Sequence, residues 1–396
     1  MKILGRAKQP DYTIGIDIGT NTARAIVSLH HESEEADFPE IVAVGACESM
    51  GLRSGYITHI QSAKNTIQTL LNQLKEQSHI EVTKVNVSLG GISVNSATTS
   101  GETIITRTDN LINDSDLEKA IAEAHKKIDL TNREVLHTIP LMYKIDGKEV
   151  MGRPLGMRGN RIEVRVFFVI CLAQHLTDMM DLFTELGIEV ENIVASPIAA
   201  AKVALTESQR QNGVMLANIG AETVSIIVYE HGLPMSLQVF PIGGSDFTKD
   251  IALGLKIGIE EAELVKTGRS IGAHSERKLS EIIEARLRDI FELIEKHLKK
   301  INRDALLPAG IVITGGGSHI AQIESLARST LRLPTRVGIP EHLLQMKPRI
   351  RDVSWIVSYG LCAYDQNDYG IVKTKNNSNG NGIFPKIKSF LHDLMP

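Results

Sequence analysis

Cysteine is scarce in this chain, with three in 396 residues. Cys47, Cys171 and Cys362 stand singly, with no Cys-x-x-Cys spacing, which excludes a disulfide framework or a thiolate zinc site and fits a reducing compartment. Aromatic residues make up 4% and there is one tryptophan, too little for a base-stacking surface. A net charge of -4 gives no basic footprint, so no nucleic-acid partner is expected. No stretch approaches the ~20 apolar residues of a spanning helix. Residues 1–6 lack the apolar run of a signal peptide. The expectation is a cytoplasmic protein, unless something tethers it. With 42% hydrophobic and 23% charged residues, the chain can bury a core large enough for two domains.

What is present is glycine in two revealing places. Ile14-Gly15-Ile16-Asp17-Ile18-Gly19-Thr20-Asn21-Thr22 runs into the apolar Ala23-Arg24-Ala25-Ile26-Val27. A short strand, a Gly-Thr turn and a second strand make a hairpin whose backbone N–H groups can face a phosphate, since glycine lets backbone approach an anion. Ile311-Val312-Ile313-Thr314 leads into Gly315-Gly316-Gly317-Ser318, a flat backbone platform between a buried strand and a helix. A third segment, Val214 to Tyr229, repeats the strand–turn–strand shape around Gly220 and Thr223. Two such hairpins and one platform imply a duplicated α/β fold with a nucleotide between its halves.

These features resemble the superfamily that holds actin, heat-shock chaperones and sugar kinases. Other residues narrow the resemblance to the FtsA family of bacterial cell-division proteins over nearly the whole length. They are Val135-Leu136-His137-Thr138-Ile139-Pro140, Tyr143, Asp146-Gly147 and Pro154-Leu155-Gly156-Met157-Arg158-Gly159. Pro241-Ile242-Gly243-Gly244, Thr248, Asp250-Ile251-Ala252 and Gly254-Leu255 add to them. The resemblance implies an actin-like duplicated fold with an FtsA-type inserted subdomain and a C-terminal amphipathic helix on a flexible linker. It implies ATP in the cleft, with magnesium held by Asp17 through water and phosphate cradled by Gly19, Thr20, Asn21, Gly220 and Thr223. Arg24 would neutralise phosphate charge, and Gly243 and Gly244 would open the second half's outer subdomain. Gly315, Gly316, Gly317 and Ser318 would lie against the nucleoside. Glu263 and Lys266 have two readings, the far wall of the cleft or a solvated helical ion pair. The implied partners are FtsZ, further copies of the chain in filaments, other division proteins and anionic membrane lipid, on the cytoplasmic face at the division site.

The expected boundaries are 12–83 and 163–187 for the first-half core and 84–162 for the insertion. The second-half core takes 188–230 and 308–365, with an outer subdomain over 231–307. Val164–Ile170 is expected to resume the first-half sheet, and a capped helix is expected to open at 113–116. Residues 366–382 read as a polar linker with nothing to bury. In 383–396, Ile383, Phe384, Ile387, Phe390, Leu391, Leu394 and Met395 share one helical face, flanked by Lys386 and Lys388. That pattern reads as an in-plane membrane anchor, with docking on the chain's own core or on a partner as the rival.

The second hairpin departs from the family. Asn218 and Ser225 stand where acids are usual, Ala221 and Glu222 where glycines are, and Ser196 where an acid precedes Pro197. Phosphoryl transfer depends on a held metal and an oriented nucleophile, so hydrolysis is expected to be lost or very slow. An active ATPase of the same superfamily and a pilus-assembly actin homologue are the alternatives.

Overall fold

The computed structural model describes residues 12–29, 39–269, 276–338 and 352–365. The expected linker and tail helix, with Ile383, Phe384, Lys386, Ile387, Lys388, Phe390, Leu391, Leu394 and Met395, lie outside the described residues.

β1 (Tyr12–Ile18) and β2 (Thr22–Leu29) form an antiparallel hairpin with Asp17 opposite Arg24. β3 (Glu40–Glu48) continues it antiparallel to β2. A miniature hairpin follows, β4 (Leu52–Arg53) and β5 (Tyr56–Ile57). Its turn residues Ser54 and Gly55 have φ of 50° and 84°, the consecutive left-handed pair that such a two-residue turn requires. α1 (Ile60–Ser78) buries Ala63, Ile67, Leu70 and Leu74 at helical spacing against β2 and β3. β6 (Lys84–Leu89) then joins β1 in parallel.

The chain next leaves this sheet. β7 (Asn95–Ile104), β8 (Arg133–Ile145), β9 (Lys148–Val150) and β10 (Arg161–Leu172) make a separate sheet of order β7-β10-β8-β9. α2 (Asp114–His125) packs on it, opened by an Asn113/Asp116 capping box. Val164–Ile170 therefore does not resume the first-half sheet; it lies in the inserted one. The reason is that β10 is apolar on both faces. Val164, Val166 and Phe168 pack among the residues of α2, while Phe167, Val169 and Cys171 join the first-half core. A continuous apolar run says that a strand is buried, not which sheet holds it. The first sheet is completed instead by β11 (Glu189–Ala195), parallel to β6 and reached through α3 (Ala173–Thr184). β6 and β11 thus both belong to the first half, and the insertion extends from after Leu89 to Leu172 rather than over 84–162.

After α4 (Ser196–Ala204) and α5 (Glu207–Asn212) the pattern repeats. β12 (Val214–Ile219), β13 (Val224–Glu230) and β14 (Leu233–Phe240) form an antiparallel meander. α6 (Gly244–Leu255), α7 (Ile259–Lys266) and α8 (Glu276–Lys300) follow. β15 (Ile311–Thr314) adds in parallel to β12, and after α9 (Ile323–Leu331) β16 (Thr335–Val337) adds in parallel to β15. The two five-stranded sheets, β3-β2-β1-β6-β11 and β14-β13-β12-β15-β16, have the same order and the same switch from antiparallel to parallel. That is a duplicated fold. Because β14 is in the sheet, the outer unit starts after Phe240 rather than at 231. Its own small core is Ile251, Ala252, Ala262 and Val265, while Leu287, Ile290, Phe291, Ile294 and Leu298 of α8 pack onto the second sheet.

α10 (Ile356–Cys362) crosses α4 behind the cleft. Gly360 is so close to α4 that a Cβ there would sit 1.8 Å from the Ala199 carbonyl oxygen. One core joins these helices to β1 and to Val214, Leu216, Ile227 and Tyr229 of the second sheet. Among the described residues, no helix is long and apolar enough to cross a membrane.

Candidate nucleotide cleft

The hairpin turns Gly19–Asn21 and Gly220–Thr223 end equivalent strands of the two sheets. Asp17, next to last in β1, pairs with Arg24, and Asn218, next to last in β12, pairs with Ser225. The duplication therefore sets a charged pair in one half against a neutral pair in the other.

Asp17 Oδ1 accepts a 2.5 Å hydrogen bond from Ser88 Oγ. Burial pushes the Asp17 carboxyl above the usual carboxylate range, with the Ser88 hydrogen bond and the Arg24 charge opposing it. The Arg24 guanidinium lies 5.8 Å from the centre of the Trp355 ring. Burial lowers its proton affinity, against the charges of Asp17 and Asp352. Thr314, paired with Asn218, continues the equivalence, since it occupies in β15 the place that Ser88 has in β6. Its hydroxyl is buried and has no hydrogen-bond partner among the described residues, whereas that of Ser88 has the Asp17 carboxylate.

The second turn is braced by backbone hydrogen bonds. Gly220 N–H donates to Thr223 O at 2.8 Å. The carbonyls of Gly220 and Ala221 accept from Gly244 N and Ser245 N at 2.9 and 2.7 Å, which seats the N-terminus of α6 on the second turn. A Cβ on Gly243 would meet Ala221 O at 2.7 Å, so only glycine permits this approach. Lys266 Nζ lies 2.7 Å from Glu263 Oε2 and 2.9 Å from Thr248 Oγ1, and donates to Gly244 O at 3.2 Å. Thr248 Oγ1 also donates to Glu263 at 2.6 Å. Burial opposes the Glu263 charge, but Lys266 and Thr248 outweigh it and hold the carboxyl below its ordinary range. The pair ties α7 to the start of α6, so it is more than a solvated helical face.

The platform is a tight turn. Gly315 has φ 85°, and a Cβ there would lie 2.2 Å from Asn218 Oδ1 and 2.5 Å from Ile219 O. Gly316 to His319 form a single 3-10 turn rather than the first turn of a long helix. Ser318 is buried and its hydroxyl donates back to Gly315 O at 2.7 Å. A Cβ on Gly316, by contrast, would meet nothing within 4 Å. That open backbone face at Gly316, just past the strand that neighbours the second hairpin, is compatible with a nucleoside lying against it. The fit to a metal is narrower. Among the described residues, no three His, Cys, Asp or Glu side chains converge on a metal position.

Three participants were not evident in the sequence. Ser88 and Thr314 answer the two hairpins from neighbouring strands, and Ser54 answers Glu222, whose Oε2 accepts from Ser54 N at 2.5 Å and from Ser54 Oγ at 3.2 Å. The glycine-rich turn at 51–55 was the visible signal; its partner 168 residues away was not.

A duplicated sheet pair around such a cleft, with a four-stranded unit inserted in its first half, defines an actin-like protein. Solved structures agree on the fold. The PilM–PilN type IV pilus biogenesis complex matches with a TM-score of 0.67 at 17% identity, covering 88% of this chain and 97% of that one. MreB5 of Spiroplasma citri bound to ADP matches at 0.52 and 14%, covering 88% and 94%. The "Cell division protein FtsA" family matches residues 215–360, and the "SHS2 domain inserted in FTSA" matches residues 91–170. FtsA of Pseudomonas aeruginosa is 29% identical over 89% of this chain and 88% of its own length. FtsA of Escherichia coli is 24% identical, over 92% of each. The chain belongs to the FtsA family of cell-division proteins.

Proposed function

We propose that the chain is an actin-like division adaptor that binds ATP as a structural ligand with negligible turnover and tethers FtsZ to the cytoplasmic face of the membrane. The observation that carries the chemical half is the asymmetry of the hairpins, Asp17 opposite Arg24 but Asn218 opposite Ser225. Gly19, Thr20, Asn21, Gly220 and Thr223 hold the phosphates, with Arg24 balancing charge. Gly315–Gly317 and Ser318 back the nucleoside, and Gly243, Gly244, Glu263 and Lys266 form the far wall. Magnesium, supplied with ATP, would offset phosphate charge through water on Asp17. Ser196 lies where its hydroxyl comes 3.3 Å from a Cβ placed on Gly90, and brings no carboxylate to orient an attacking water. Nucleotide then favours one conformation through its preferential binding to it.

Membership of a division family supports the adaptor half, and the apolar face at 383–395 with Lys386 and Lys388 supports lipid attachment. A single short helix binds weakly, so attachment draws on many copies in a filament. Actin-like contacts run head to tail and propagate without closing. The test is pelleting of the full chain and of residues 1–382 with anionic liposomes, with phosphate release read on the pelleted protein.

A further inference from the structure

Glu222 stands where the first hairpin has Asn21, and it reaches out of its own half. Its carboxylate takes both the amide and the hydroxyl of Ser54. The Ser54–Gly55 turn is held from three sides. Gly55 N–H donates to Thr20 Oγ1 at 3.1 Å, and Gly55 O lies 3.0 Å from His175 Nε2. The Tyr56 ring rests 4.6 Å from the His175 ring. A Cβ on Gly55 would strike Gly91 Cα at 2.6 Å, so the turn is wedged against the floor of the first half. It presents a fixed amide and hydroxyl to an anion, between two loops built to hold phosphate.

We propose that the Glu222 carboxylate is a built-in substitute for the terminal phosphate of a nucleoside triphosphate. It ties the second hairpin to the first half through Ser54 and must be displaced before a third phosphate can lie between the hairpins. The inference rests on the nucleotide reading of the cleft. With the nucleoside against Gly315–Gly317, the phosphate chain extends towards the hairpin turns, and its last member meets Glu222. Two anions cannot share the Ser54 donors. A diphosphate stops short and leaves the carboxylate in place.

The experiment compares the full chain with Glu222→Gly and Glu222→Gln, by calorimetry with ADP and with ATP in the presence of magnesium. Glu222→Gly should tighten ATP binding about tenfold or more, the scale of one charge-assisted hydrogen bond. ADP binding should change less than about threefold, within one weak contact. Glu222→Gln, which keeps the shape without the charge, should fall between. Amide exchange of the peptide carrying Ser54, measured by mass spectrometry without nucleotide, should quicken about tenfold in Glu222→Gly, as expected when a local tie is released. Equal gains for ATP and ADP would overturn the competition, since a smaller side chain would merely have opened the site. Unchanged exchange would overturn the tie. If neither nucleotide binds either protein, the nucleotide reading fails and the inference with it, a result distinct from both.

Discussion

Alanine at Gly315 and alanine at Gly316 should separate the fold of the platform from its use. Gly315 has φ 85° and ψ 168°, a region essentially reserved for glycine that costs another residue roughly 1–3 kcal/mol. Its new Cβ would also lie 2.2 Å from Asn218 Oδ1 and 2.5 Å from Ile219 O. The asparagine can swing away, but the carbonyl is backbone of β12, and relieving it requires a shift of about 1 Å. Overpacking of that kind costs ~1–3 kcal/mol, so the total is about 3 kcal/mol of stability. Gly316 has open space around the same position, and its alanine should be neutral or stabilise by up to ~1 kcal/mol. The methyl would stand on the open face proposed to receive the nucleoside, and ATP affinity should fall about tenfold, the equivalent of ~1.4 kcal/mol. Urea unfolding at constant slope reads the first quantity and calorimetry the second. A Gly315→Ala protein as stable as the parent would refute the strain argument. A Gly316→Ala protein with unchanged ATP affinity would remove the platform from the site.

Burial holds the His137 imidazole neutral, with its pKa lowered to about 4, while its Nε2 accepts the Ala195 N–H at 2.9 Å. The unfolded chain takes up that proton first, so the contribution is complete above about pH 6.5 and is lost as pH falls towards 4. The loss is ~3 kcal/mol at most, and stability measured across that range should fall less steeply in His137→Gln. Gly360→Ala should drive α10 off α4, because its Cβ would sit 1.8 Å from the Ala199 carbonyl oxygen. A destabilisation of ~3 kcal/mol or more is expected by urea unfolding, and a loss under ~1 kcal/mol would show that the crossing yields easily.

The duplicated hairpins were legible because a strand pair and its glycine turn are local, and each lies within about fifteen residues of sequence. The Asn113 cap was legible for the same reason. The edges of the insertion were not, since neither the short alternating β6 nor the apolar run of β10 says which sheet holds it, and that assignment is decided by partners far away. Lys266 had two local readings, and its contacts with Thr248 and Gly244, which tie α7 to the start of α6, carry no motif in the sequence. Ser88 carries no motif and reaches Asp17 across 71 residues. Glu222 was visible as a misfit in a phosphate loop, but the turn that receives it was not.

The central claim is a division adaptor whose cleft binds ATP without consuming it. It is tested most directly by phosphate release from the full chain assembled on anionic liposomes, beside an Asp17→Ala control and ATP binding by calorimetry. The account predicts ATP binding, with release at the level of the control whether or not lipid is present. Each missing acid would typically cost ~3–4 kcal/mol of transition-state stabilisation, though such losses do not add. Release well above the control, abolished by Asp17→Ala, would contradict it and make the protein an active ATPase.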